Sequence, residues 1–141
     1  MSHFIEDHKR KKRYQLERLI QISIFDWARL YKIKEGGFLF DYMTASPNGG
    51  TRNLIEAVNF KRSGVSAGFP DISIFVPRNN YHGMFLEIKK DGKYSITQKQ
   101  KDWINKLKFM GYFAEFGIGF DHSKKLIEDY LKSELYANNR V

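Results

Sequence analysis

The feature that most constrains the fold is a pair of apolar segments, residues 71–76 and 84–89, joined by a short connection. Both segments are rich in β-branched and aromatic residues, and Pro, Asn and Gly occupy the connection between them, so the sequence predicts two neighbouring β-strands. The first strand follows Gly68-Phe69-Pro70, a corner that fixes the angle at which the chain enters it. We therefore expect these two strands to form the centre of the core.

Three charged residues lie within this apolar pair. Asp71 opens the first strand, and Glu87 and Lys89 lie in the second. Because successive side chains of a strand point to opposite faces, Glu87 and Lys89 share one face, and Leu86 and Ile88 share the other. Two carboxylates and an ammonium group then converge beside apolar side chains, where charges need partners. A divalent cation would supply such a partner, whereas a solvated strand face is the ordinary alternative for a Glu-x-Lys sequence by itself.

The composition describes one folded domain. A chain of 141 residues can form one hydrophobic core but is short for two domains, and its aromatic content of 16% argues against disorder. Cysteine is absent, which excludes disulfides and thiolate zinc sites, and the four histidines lack metal-ligand spacing. No apolar run is long enough to span a membrane, and the charged N-terminus differs from a signal peptide, so we expect an intracellular protein without a membrane partner.

The net charge of +8 predicts a polyanionic partner. The basic residues begin in a run at positions 8–13, which is either a solvated arm or an arm that contacts phosphates without regard to base sequence. We assign residues 1–13 to this arm, 14–136 to the domain and 137–141 to a frayed tail. A phosphodiester substrate would explain both the charge and the carboxylate–lysine cluster.

Periodicity and turn residues predict the remaining elements. Helical spacing of apolar residues, ended by Gly36-Gly37 after the first helix, indicates helices at about 14–32, 54–62, 98–110 and 123–135. Further core strands are predicted at 38–43 and 112–116. Thr97 followed by Gln100 is a capping-box pattern at the start of the third helix. The inward side of that helix is expected to carry Trp103, Ile104, Leu107 and Met110.

Two polar residues on the predicted helices have alternative interpretations. Glu17 lies next to the apolar stripe of the first helix, with Gln21 one turn later, and is either a boundary residue or a third acidic ligand. Glu6 is the alternative candidate for a third acidic ligand, although it lies outside the helical pattern. Gln100 lies on the inward face of the third helix and is either a cap alone or also a site residue. Gln98 is two positions off that face.

Four sequence blocks occur in order along the chain: Pro47-Asn48-Gly49-Gly50-Thr51-Arg52, Gly68-Phe69-Pro70-Asp71, Phe85-Leu86-Glu87-Ile88-Lys89 and Gln100-Lys101-Asp102-Trp103 with Leu107 and Gly111-Tyr112. Together they resemble the VRR-NUC branch of the PD-(D/E)xK nuclease superfamily across nearly the whole chain. The resemblance implies an α/β fold with a restriction-endonuclease-like core, a central mixed four-stranded sheet flanked by helices. It also implies an endodeoxyribonuclease that requires Mg²⁺ or Mn²⁺.

Hard oxygen ligands suit these two cations. We assign Asp71 and Glu87 as the principal metal ligands, and the resemblance implies that the backbone carbonyl of Ile88 completes the protein side. The resemblance also favours Glu17 as a ligand, directly or through water, with Gln21 in support. Lys89 would orient the attacking water and stabilise developing negative charge.

The same resemblance assigns Gln100 to orienting Lys89 or a metal-bound water. It places the loop of Asn48 and Gly49 near the active face, where Arg52 would contact a substrate phosphate or brace the site. Further DNA contacts are expected at the end of the second predicted helix and in the basic run, namely Lys61, Arg62, Arg10, Lys11, Lys12 and Arg13.

The substrate implied by the resemblance is branched DNA. Compact single-domain members look like phage- or virus-borne enzymes that act on Holliday junctions, which places the protein in the cytoplasm of a bacterial or virus-infected cell. A junction resolvase cuts two symmetry-related strands, so a chain with one site is expected to form a homodimer. Two alternatives are a restriction-like or nicking nuclease on ordinary duplex and a non-catalytic nucleic-acid-binding module that has kept a nuclease fold.

Overall fold

Four strands form one mixed sheet in the computed structural model, which describes residues 2–47 and 53–133. The strands are β1 (Met43–Ala45), β2 (Ile72–Ile74), β3 (Met84–Lys89) and β4 (Phe113–Ile118). They lie in the order β1-β2-β3-β4, with antiparallel pairing of β1 with β2 and of β2 with β3 and parallel pairing of β3 with β4. The predicted mixed four-stranded sheet is confirmed.

The sheet is covered by helices on both faces. The helices are α1 (Ser2–Ala28), α2 (Leu54–Arg62), α3 (Gln98–Phe109) and α4 (Gly119–Lys132). Helices α1 and α4 pack on the face that carries Leu86 and Ile88, whereas α3 packs on the face that carries Phe85. Each residue of β3 is buried, and the predicted division of its side chains between two faces is confirmed.

The first helix is longer at its start than the sequence predicted. It begins at Ser2 instead of about Tyr14 and ends at Ala28 instead of Lys32, so the basic run at 8–13 is helical. Lys and Arg are good helix formers, and Arg10 pairs with Asp7 at 3.2 Å across one turn, which favours this extension. The predicted tail, 137–141, lies outside the described residues, and the division into arm, domain and tail stays a prediction.

The predicted strand at 38–43 is wrong. Leu39–Tyr42 form a 3-10 turn, and the strand begins only at Met43. The reason is a local cap, because the carboxylate of Asp41 accepts a 3.0 Å hydrogen bond from the backbone N–H of Phe38. Met110, predicted to face inward, is 62% exposed, because α3 ends one residue earlier.

A buried arginine fixes the β2–β3 connection at the end opposite to the charged cluster. The guanidinium of Arg78 is 1% exposed, binds the carboxylate of Glu35 at 2.7 Å and donates to the carbonyl of Leu131 at 2.9 Å. The hydrogen bond from Arg78 holds the pKa of Glu35 below its usual value. None of the helices in the described segments is both long and apolar enough to cross a membrane.

Candidate metal-binding active site

The β2–β3 pairing brings the two predicted carboxylates together. Ile72 is opposite Leu86, and one further step of this antiparallel register places Asp71 opposite Glu87. The carboxylate of Asp71 accepts a 2.8 Å hydrogen bond from the backbone N–H of Ile88. Asp71 is therefore attached to β3 between Glu87 and Lys89.

Ser46, which the sequence analysis did not select, holds the backbone that carries Asp71. Its hydroxyl donates to the carbonyl of Pro70 at 2.8 Å, and its backbone N–H donates to the carbonyl of Asp71 at 2.9 Å. Both hydrogen bonds join the end of β1 to the start of β2. Nothing in the local sequence around Ser46 predicts this contact, because its partners are more than twenty positions away in the chain.

Gln100 connects the first turn of α3 to both charged residues of β3. Its side-chain amide donates to Oε1 of Glu87 at 2.7 Å, and its Oε1 accepts from Nζ of Lys89 at 3.2 Å. The same oxygen accepts from the backbone N–H of Thr97 at 3.0 Å, so the predicted capping box is confirmed. Lys89 Nζ donates a second hydrogen bond, to the carbonyl of Ser95 at 3.0 Å. Gln98 instead donates a hydrogen bond to Asp102, one turn later in α3.

The corner before Asp71 needs a glycine. Gly68 has φ +83°, and a Cβ at this position would lie 2.6 Å from the backbone carbonyl carbon of Lys99. The corner therefore packs directly on the first turn of α3, which also carries Gln100. This close approach explains the Gly-Phe-Pro pattern better than a turn alone.

Burial and neighbouring negative charges raise the pKa values of both carboxyl groups. Glu87 is 6% exposed, and burial, followed by the negative charge of Asp71, raises its pKa to about 9. Burial raises the pKa of Asp71 to about 6, although the hydrogen bond from Ile88 acts in the opposite direction. Without a further cation, Glu87 keeps a proton at neutral pH while Asp71 is mostly ionised, which is the usual response of two carboxyl groups that share one site.

One oxygen of this cluster has no hydrogen-bond partner. Oε2 of Glu87 is buried and unpaired within residues 2–47 and 53–133. A buried carboxylate oxygen without a partner is costly, and a divalent cation would satisfy it. The donor set fits Mg²⁺ or Mn²⁺, since Mg²⁺ takes one or two carboxylates and keeps several waters for substrate oxygens. In the described part of the chain, no three His, Cys, Asp or Glu side chains lie together in a group that could hold a metal ion, so side chains supply at most two ligands at one point.

Glu17 lies at the edge of this cluster. Burial raises its pKa, and it interacts electrostatically with Lys89 and with both carboxylates of the pair. Its role as a ligand, directly or through water, stays a prediction. Glu6, the alternative candidate for a third acidic ligand, lines a separate groove at the start of α1.

Ile88 on β3 is a predicted metal ligand through its carbonyl, and Gln21 on α1 is a predicted supporting residue. The N–H and C=O of a strand residue point to the same side, so the carbonyl of Ile88 lies on the side of β3 that faces Asp71. Gln21 is half-buried one turn after Glu17, and its side chain makes no hydrogen bond to the described residues. Its supporting role stays a prediction.

A cleft between α2 and α3 opens onto the cluster. This α2–α3 cleft has a volume of about 950 Å³ and reaches Glu87 and Gln100. Lys61, predicted to bind DNA, lines it, whereas Arg62 is exposed outside it. The sequence analysis missed the other lining cations, Lys99 and Lys106, which lie on α3 at helical spacing.

A second groove runs along the first half of α1. This α1 groove has a volume of about 840 Å³, and its lining cations are Lys9, Arg10, Lys12, Arg13, Lys90 and Lys93. Lys11, also predicted to bind DNA, is exposed outside the groove. Lys90 and Lys93, which follow the Glu-x-Lys strand, were not among the predicted DNA contacts. Asn48, Gly49 and Arg52 lie outside the described residues.

A mixed sheet with helices on both faces, and an Asp and a Glu-x-Lys at one end of its central pair, defines a nuclease-type domain. The family model of the VRR-NUC domain matches residues 11–117, and the chain belongs to this family. A solved structure described as "VRR_NUC domain protein" is similar to it, with 39% identity and a TM-score of 0.75. The similarity covers 84% of this chain and 90% of that one. A comparison with curated proteins found no match.

Proposed function

We propose that this protein is a Mg²⁺- or Mn²⁺-dependent endonuclease that hydrolyses phosphodiester bonds in DNA. The observation that carries the proposal is the pairing of half-buried Asp71 with buried Glu87, which has an unpaired carboxylate oxygen and lies beside a hydrogen-bonded lysine. Membership of a nuclease family and a net charge of +8 support a DNA substrate. Metal dependence rests on the chemistry of the donor set.

The carboxylates of Asp71 and Glu87 would hold the cation, together with the carbonyl of Ile88 and with Glu17 through water. When bound, the cation neutralises phosphate charge and lowers the pKa of a bound water. The hydrogen bond from Ile88 keeps the carboxylate of Asp71 in one orientation. Gln100 does the same for Glu87, so the ligand oxygens are fixed before substrate arrives.

Lys89 supplies the positive charge of the protein at the reacting phosphate. Its ammonium donates hydrogen bonds to Gln100 and Ser95, two neutral acceptors, which fix its position beside the carboxylates. In hydrolysis, water forms a new bond to phosphorus while the bond to the bridging oxygen breaks. Lys89 would position that water and stabilise the negative charge that develops on the phosphoryl oxygens. A preorganised donor of this kind contributes about 10²–10³ in rate.

The finer proposal is selectivity for branched DNA by a homodimer. Two cation-lined surfaces, the α1 groove and the α2–α3 cleft, flank the carboxylates and can contact phosphates on either side of the cut. Helix α2 has no buried residue and exposes Leu54, Ile55 and Val58, which supports a contact with a second copy. Two copies would supply the two sites that paired cuts in a junction require.

The test compares a labelled four-way junction with a matched linear duplex in Mg²⁺, Mn²⁺ or EDTA. We expect metal-dependent paired nicks in the junction, lost in Lys89→Ala and kept in Lys101→Ala, which removes an exposed lysine of α3. Equal cutting of both DNAs would identify a nuclease of ordinary duplex. DNA binding without cleavage in either metal would identify a non-catalytic module. Sedimentation of the free protein and of its junction complex tests the homodimer.

A further inference from the structure

The α2–α3 cleft carries aromatic side chains in addition to cations. Trp103 lines the cleft, and its indole N–H donates to the hydroxyl of Ser66 at 3.0 Å. The ring of Phe69 meets it edge to face, with 5.0 Å between centroids and an angle of 85°. Two contacts thus fix the orientation of the indole ring. Phe60 extends the aromatic lining on the side of α2.

The cations of the cleft are placed to accompany these rings. The ammonium of Lys106 lies 4.7 Å from the ring centroid of Trp103. Lys99 and Lys61 also line the cleft, and Asp102 is its one acidic residue apart from Glu87 among the lining residues that the structure describes. Lys99 lies in the first turn of α3, where the helix dipole also favours anions. The cleft therefore combines a positive wall with aromatic surfaces.

The α1 groove lacks the aromatic side chains that accompany the cations of the α2–α3 cleft among the lining residues that the structure describes. The described lining residues of the α1 groove include six cations but no Phe, Tyr or Trp. A cationic surface without aromatics suits the phosphates of a duplex, whose bases stay stacked inside. Aromatic side chains within a positive groove suit unpaired nucleotides, since every base offers a π-face for stacking.

We infer that the α2–α3 cleft binds an unpaired segment of DNA beside the reacting phosphate, with a base stacked on Trp103. The phosphates of this segment contact Lys99 and Lys106, and the ammonium of Lys106 moves from the ring to a phosphate as the base stacks. The cleft volume of about 950 Å³ is that of a pocket for one or a few nucleotides rather than of a channel for a duplex. Such an unpaired segment arises where strands part at a branch point, so the inference deepens the proposed selectivity for branched DNA and rests on the proposed nuclease function.

The test reads the fluorescence of Trp103 directly. The chain has two tryptophans, so Trp27→Phe leaves Trp103 as the single reporter. Titration is made in EDTA, which prevents cleavage, with a short oligothymidylate and with a blunt duplex of equal length. We expect saturable quenching by the single strand, with a dissociation constant about 10-fold lower than that for the duplex. Equal quenching by the duplex overturns the inference.

Two lysine pairs on the same helix separate the cleft from general charge attraction. Lys99→Ala with Lys106→Ala removes two cations that line the cleft, whereas Lys101→Ala with Lys108→Ala removes two that do not. We expect the first pair to weaken single-strand binding about 10-fold and the second about 2-fold or less. Equal weakening by both pairs overturns the inference, because attraction to the whole surface would then account for binding.

Truncation of the indole tests the stacking itself. Trp103→Ala should weaken single-strand binding about 5- to 100-fold, the usual loss for one stacked base, whereas Trp103→Phe should retain most of it. Trp103 also packs on the core under α3, so the thermal midpoint of each variant is measured as a folding control. If Trp103→Ala does not fold, the lysine pairs test the inference by themselves.

Two outcomes distinguish the inference from the proposed function. Selective single-strand binding without cleavage would contradict the proposed function but support the inference. Metal-dependent cleavage without single-strand preference, unchanged when Lys99 and Lys106 are both replaced by Ala, would support the proposed function and overturn the inference.

Discussion

The side-chain amide of Gln100 donates a 2.7 Å hydrogen bond to Glu87, thirteen positions earlier in the chain. The carbonyl oxygen of the same amide accepts from Lys89 and from the backbone N–H of Thr97. One residue therefore caps α3 and orients both charged residues of the central strand. The position of α3 and the geometry of the site are consequently linked. A substitution that weakens the packing of α3 should therefore also reduce cleavage.

Loss of the Gln100 amide should reduce both stability and cleavage. Gln100→Ala removes half of the capping box and leaves Glu87 and Lys89 without this partner, so we expect a loss of about 0.5–2 kcal/mol in the free energy of unfolding. Cleavage under single-turnover conditions should fall about 10-fold or more, because Lys89 is no longer held. Gln98→Ala is the matched control, since Gln98 lies in the same turn but binds Asp102. An equal fall in both variants would contradict the proposed role of Gln100.

The corner glycine should tolerate no side chain. Gly68→Ala combines a positive φ with a Cβ 2.6 Å from the backbone of Lys99, so the first turn of α3 must move and carry Gln100 with it. We expect a loss of about 2–3 kcal/mol in stability and a strong fall in cleavage. Gly36→Ala provides the comparison, because Gly36 has φ +97° but open space around it and lies outside both grooves. It should cost about 1 kcal/mol from backbone strain alone and leave cleavage intact. Chemical denaturation and single-turnover assays measure both.

Without metal, stability should fall as the pH rises. Between the ordinary value of 4.5 and about 9, folded Glu87 retains a proton that the unfolded chain has released, so the free energy of unfolding decreases with pH across this window. Asp71 adds to this decrease up to about pH 6. Glu87→Gln removes most of the slope, and Mg²⁺ should raise the thermal midpoint of the wild type most at the alkaline end. Thermal scans in EDTA and in Mg²⁺ from pH 5 to 9 measure this, and a midpoint in EDTA that rises with pH would contradict it.

The α1 groove should contribute salt-dependent affinity. Lys12→Ala with Lys93→Ala removes two of its cations without touching the carboxylate cluster. We expect weaker binding of the duplex. In a plot of log affinity against log salt concentration, the magnitude of the slope should decrease by about 2, which is about 1 for each lost phosphate contact. Lys101→Ala with Lys108→Ala changes the net charge equally but lies outside both grooves, so its slope should match the wild type. The same slope in all three proteins would exclude the groove as a DNA contact.

The amino-acid sequence determined the central strands, the alternation that joins Glu87 with Lys89, and the capping box at Thr97. These features depend on residue types at short and regular spacings, so the local pattern contains them. The sequence also carried the ordered blocks by which the family was identified. It failed at 38–43, where the cap from Asp41 overrides strand propensity, and at the start of α1, where the basic run continues the helix.

Only the tertiary structure decided which distant residues complete the site. Ser46 reaches the backbone of Asp71, Lys93 joins Arg10 in one groove, and Lys106 with Trp103 forms a cleft that ends at Glu87. The unpaired oxygen of Glu87 is equally invisible in the sequence, because it depends on what surrounds that atom from every side. Such contacts join segments that the chain separates by tens of residues. They are set by how helices pack on a twisted sheet, and local propensity carries no information about that packing.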